Sequence, residues 1–151
     1  MSDFSLKGVA VGGIVDIVSS AMAGVPLAIY AMVHGEVASL PEAQRTAALT
    51  TAMHAPGIHA AAMLVGSLCS VLGGYVAASV AKRGEVMNGA LSAWLCMAIG
   101  IYSVTLGADS GSTLQHVLTF VLSPLLGALG GYLRVRQLGA PSDGPLAPAA
   151  G

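Results

Sequence analysis

Residues 8–33, GVAVGGIVDIVSSAMAGVPLAIYAMV, carry a single charged side chain, Asp16. At about 1.5 Å of rise per helical residue this run is about 39 Å long, enough to cross a hydrocarbon core of about 30 Å with some tilt. It reads as a membrane span with an acid inside it. Gly8, Gly12, Asp16, Ser20 and Gly24 recur at every fourth residue, so a helix places them on one face. Neighbouring helices approach closest along such a small-residue face, which keeps the carboxyl away from lipid. Pro26 is expected to kink the helix. Ala21-Met22-Ala23 has the small-x-small form of a signal-peptide cleavage site. Asp16 and Gly12-Gly13 would then interrupt the apolar region, which also continues well past Ala23, so retention of the segment is expected.

The remainder of the chain repeats this chemistry. Of the 151 residues 55% are hydrophobic and only 9% charged, against roughly 25% charged in soluble domains. The net charge of −1 and the scattered basic residues give no footprint for nucleic acid. Further spans are expected over residues 58–81, 86–107 and 113–133, each near the roughly 20 residues that a crossing requires. The connections 82–85 and 108–112 are short enough to force antiparallel neighbours. The fold class is therefore all-α: a polytopic membrane protein built as an up-down four-transmembrane-helix bundle over residues 1–136. The Pro-, Gly- and Ala-rich segment 137–151 is expected to be a disordered cytoplasmic tail.

Between the first two spans, Ser39-Leu40-Pro41-Glu42 has the spacing of a capping box and predicts a short surface helix from about Leu40 to about Met53, ended by Pro56-Gly57. Lys7, Lys82, Arg83, Arg134 and Arg136 fall on one side of the predicted membrane and Arg45 alone on the other. This bias places both termini in the cytoplasm, N-in and C-in, and a bacterial inner membrane is the expected location. Residues 68–75, LCSVLGGY, and 125–132, LLGALGGY, echo each other, and both precede basic residues.

Asp16 is the chief candidate for chemistry, since a charged acid within a span costs about 2.5–3.5 kcal/mol even on insertion scales. It is either a proton or ion site or an interhelical hydrogen-bonding group. Counting inward from the predicted cytoplasmic ends, about 12 Å for Asp16 by helical rise, places it near Gly73–Tyr75, Ser92 and Gly127–Gly130. No Lys or Arg shares that depth. Its expected partners are Ser20, Ser92, Tyr75 and Tyr132, with the amide of Asn88 as another. The expected packing faces are Gly8 and Gly12; Gly66, Ser70, Gly73 and Gly74; and Gly127, Gly130 and Gly131.

Cys69 and Cys96 fall at similar depth and are expected as free thiols. Trp94 is expected in the core or in the wall of a binding cavity. His54, His59 and His116 are outer-side candidates for a metal, but they lack regular ligand spacing, so no metal and no cofactor is expected. Nucleophile elbows, phosphate loops and paired catalytic carboxylates are absent from the sequence.

Two resemblances follow from these residues. Residues 71–91, VLGGYVAASVAKRGEVMNGAL, are similar to the glycine-tyrosine segment and basic turn of small uncharacterised four-span bacterial membrane proteins, a likeness that implies no activity. Four short helices, an acid after Gly-Gly in the first and a tryptophan in the third make the architecture resemble small multidrug resistance transporters. That resemblance implies a coupling role for Asp16 and a cavity wall at Trp94. The chain departs from that family in its long first loop, in Asp where the family has Glu, in its tail and in its charge bias. The expected function is a non-enzymatic membrane protein packing through small-residue faces with itself or a partner; the alternative is a small proton-coupled transporter or channel using Asp16.

Overall fold

The structure, a computed structural model, describes residues 4–106 and 113–139, without the side chains of Ser103 and of residues 113–116. The expected turn 108–112 and the tail beyond Gly139 lie outside the described residues. The elements are all helical: α1 (Leu6–His34), a 3-10 turn (Val37–Ser39), α2 (Glu42–Met53), α3 (Pro56–Ala81), α4 (Glu85–Ser92), α5 (Trp94–Thr105) and α6 (Thr113–Gly139). Four stretches are long and apolar enough to cross a membrane: α1, α3, the segment Glu85–Tyr102 formed by α4 with most of α5, and Val117–Gly139 within α6.

The surface supports that reading. Ile14, Val18, Met22, Val25 and Ile29 form an exposed ridge on α1, and Leu64, Leu68 and Leu72 form another on α3. Val121, Leu125 and Leu129 do the same on α6. The interior holds glycine, alanine and a few polar side chains instead, so large apolar groups face outward where lipid would solvate them.

Local chemistry sets the helix ends. Ser5 caps α1, its hydroxyl accepting from the Gly8 N–H at 3.1 Å. Pro56 occupies the first turn of α3, where its missing N–H is no loss, so it begins this helix and does not merely end the preceding one. At the other end Lys82 takes a left-handed conformation (φ 57°) and its N–H returns to Ala78 O. The expected capping box does not form: the Ser39 hydroxyl donates to Glu36 O at 2.6 Å within the 3-10 turn, and Pro41 precedes α2 without a side-chain cap. Both Pro26 and Pro124 lie inside continuous helices.

The third span is divided at Ala93. Immediately before it the Ser92 hydroxyl donates to Gly89 O at 2.7 Å, competing for a carbonyl that the helical ladder would use. At its far end α6 runs on through Gly139, so residues 137–139, expected in the tail, are helical.

Helix α3 is the hub, packing against α1, α4 and α6. Contacts between glycine-rich backbones hold this hub together. A Cβ at Gly12 would lie 2.6 Å from Gly73 O, and one at Gly8 2.8 Å from Ala77 O, so positions rise along α1 as they fall along α3. Gly74 meets Gly127, Gly127 meets Gly89, Gly130 meets Val71 and Tyr75, and Gly131 meets Glu85, each backbone against backbone. The packing is closest in the half of the bundle bearing Lys82, Arg83, Arg134 and Arg136, the basic end. Towards the histidine end, α5 makes no close approach to α3 among the described residues.

Candidate functional site

Asp16 lies where the close-packed half gives way to the open half. Its helix is fixed from below: the Ser5 N–H donates to Asn88 Oδ1 at 2.8 Å, and Asn88 Nδ2 donates to Arg83 O and Gly84 O at 2.9 and 3.0 Å. Asn88 is fully buried, so the start of α1 is seated on the start of α4. Seven residues beyond Ser5, the Gly12 and Gly73 backbones touch, and Gly73 lies directly against Asp16, its absent Cβ 2.7 Å from the Asp16 Cβ. Asp16 as a whole is only 2% exposed.

Three side chains donate to it. The Ser70 hydroxyl is 3.3 Å from both carboxylate oxygens, the Ser20 hydroxyl 3.5 Å from Oδ1, and the Cys96 thiol 3.2 Å from Oδ2. They come from α3, α1 and α5, so the acid ties three helices together. Among the described residues its hydrogen-bond donors are all uncharged.

The carboxyl forms the floor of a cleft of about 210 Å³ between α1, α3, α5 and α6. Its polar lining continues from Ser20 and Ser70 through Ser67, Ser123 and Thr119. Met63 and Cys96 supply sulfur, and Ala62, Gly66, Leu122 and Leu126 complete the wall. Neither Lys, Arg nor His lies among these lining residues. Beneath Asp16, the touching glycine backbones of α1, α3, α4 and α6 separate the cleft from the basic end.

The other expected residues are distributed differently. Ser20 reaches Asp16, and Ser70, expected as a packing residue, does too. Ser92 is buried but bonds Gly89 O. The Tyr75 hydroxyl bonds Gln137 Oε1, and the Arg134 guanidinium lies over the Tyr75 ring at 5.8 Å. Tyr132 is exposed on α6. Asn88 serves the start of α1 instead of Asp16. Gly66 is not a packing contact: a Cβ there would meet nothing within 4 Å, because it faces the cleft.

Trp94 is 62% exposed, on the outer surface and neither in the core nor in the cleft wall. Cys69 and Cys96 are free thiols, the first buried and the second turned to Asp16. His54 and His59 stack with ring centroids 6.0 Å apart. Among the described residues no group of three His, Cys, Asp or Glu converges on a point. The side chain of His116 lies outside the described residues.

Sequence reasoning missed Cys96 and Ser70 as partners of the acid. The signal that bears on them is the cap: starting α1 at Leu6, behind Ser5, sets Asp16 two residues, about 3 Å by helical rise, deeper than a count from Gly8. No protein-family model, curated protein or solved structure matches this chain.

Proposed function

We propose that this protein is a small, non-enzymatic membrane carrier or channel in which Asp16 binds and releases one positive charge, a proton in the first instance. The observation that carries this reading is the buried Asp16 carboxyl at the floor of a hydroxyl-lined cleft without a cationic partner among its lining residues. Such an acid is neutral only when it holds a proton or another cation, so each occupancy change moves one charge. The bundle is read as up-down with both termini cytoplasmic, which directs the cleft away from the cytoplasm, the periplasm being the outside in a bacterial inner membrane. The serine and threonine hydroxyls give water and protons a polar path down to the acid.

A second reading, assembly with another copy or a partner protein, draws support from α5. Its approach to α3 and α6 is slight, and Trp94 is exposed on it, leaving surface for another helix.

One experiment separates the two. In sodium-free proteoliposomes under an imposed membrane potential, wild-type protein should dissipate a pH gradient, and Asp16→Asn should slow that flux at least tenfold while the folded fraction is unchanged. Equal flux from both proteins removes the transport reading and leaves assembly as the function.

A further inference from the structure

We infer that the Asp16 site also takes a partly dehydrated sodium ion, held by the carboxylate and the hydroxyls of Ser20 and Ser70. The inference rests on the transport reading above and names a cation for it.

The distances around the carboxylate are those of ion ligands. Hydroxyl-to-oxygen hydrogen bonds favour about 2.7–2.8 Å, and those to carboxylates are shorter still. Elsewhere in this structure the serine and threonine hydroxyls follow that rule: 2.7 Å for Ser92, 2.8 Å for Ser67, 2.9 Å for Ser79 and 3.0 Å for Thr51. Among the described residues the three hydroxyl–carboxylate distances at Asp16 are the longest, at 3.3, 3.3 and 3.5 Å, beyond the 3.1 Å from Ser19 to Asp16 O. An ion that holds oxygens at about 2.3–2.6 Å sets neighbouring ligands of an octahedron about 3.3–3.7 Å apart. Na+, close in radius to Ca2+, fits that spacing; K+, being larger, spreads its ligands further.

The charge of the site selects a monovalent ion. Asp16 is the only acid among the residues lining the cleft, and no basic residue is among them. One carboxylate neutralises one positive charge, so a monovalent ion leaves the site neutral in a low-dielectric setting and a divalent ion does not. The site also has room. Gly66 lies one turn from Ser70, and the space where its Cβ would be is open. Cys96 takes no part as a ligand: its thiol donates to Oδ2 and fixes the carboxylate plane.

The test is titration calorimetry of the purified full chain in lipid nanodiscs with NaCl, KCl and choline chloride at constant ionic strength. The expected result is saturable binding of one Na+, with K+ at least tenfold weaker and choline silent. Asp16→Asn should abolish the signal, and Ser70→Ala should weaken Na+ at least tenfold without changing the melting temperature by more than a few degrees. Equal responses to Na+ and K+, or Na+ binding that survives Asp16→Asn, overturns the inference. The wild-type ion series decides the matter even where a variant fails to fold. Absent Na+ binding alongside Asp16-dependent proton flux overturns the sodium site and leaves the transport reading standing; absence of both removes the two together.

Discussion

At the residue scale the molecule turns on two buried polar side chains with different tasks. Asp16 is held by long contacts and lines a cleft, whereas Asn88, with short contacts of 2.8, 2.9 and 3.0 Å among its partners, does not line it. Removing the amide of Asn88 leaves the Ser5 N–H and two loop carbonyls without this partner, each loss costing about 1–3 kcal/mol where water cannot replace it. Asn88→Ala should therefore destabilise the fold by roughly 2–4 kcal/mol, summing such losses with allowance for partial rehydration. Reversible unfolding in mixed detergent checks this, and a loss below about 0.5 kcal/mol, the scale of a neutral surface change, would show that α1 is seated by its glycines alone. The sequence made Asp16 legible because an acid in an apolar run stands out by its cost. It did not make Cys96 legible as a partner, since a mid-span cysteine looks like any small apolar residue and only the register of three helices turns it to the carboxyl.

At the element scale, the glycines divide into those that seal and those that open. Gly127 packs backbone to backbone against Gly89, so a methyl group there must push α4 and α6 apart. Gly127→Ala should cost about 1–3 kcal/mol as an overpacked contact. Gly66→Ala meets no atom within 4 Å and removes a flexible residue from a helix interior, so it should be neutral or stabilise by about 0.5–1 kcal/mol. Parallel thermal melts of the two variants provide the check; equal destabilisation would mean that the cleft beside Gly66 closes in lipid. Both glycines look alike in the sequence, each lying in a small-residue pattern. What separates them is the splay of α5 from α3 beyond the division of the third span at Ala93, and a hydroxyl competing for one carbonyl leaves no mark in hydropathy. The four spans themselves were legible because length and apolarity are additive along the chain, whereas helix ends depend on single caps such as Ser5 and Pro56.

At the scale of the whole molecule, charge and packing point along the same axis. The basic end, with Lys82, Arg83, Arg134 and Arg136, is the end where glycine backbones touch and the cleft is closed. The end carrying α2 and the His54–His59 stack lies beyond the cleft. On the proposed function, the positive-inside rule faces the closed end to the cytoplasm, and a cation would reach Asp16 from outside and would have to part the glycine contacts to leave inward. This orientation is testable in intact cells with a membrane-impermeant maleimide. Ser39→Cys lies in the loop between the first two spans, and Arg83→Cys lies in the basic turn, leaving four basic residues against Arg45. Ser39→Cys should label in intact cells and Arg83→Cys only after the membrane is opened, because a bias of that size fixes one orientation. Labelling of both positions in intact cells would mean that the chain inserts both ways. An antiparallel pair of copies would then present an acid-floored cleft to each side of the membrane, and the directional entry argued from the glycine seal would fall.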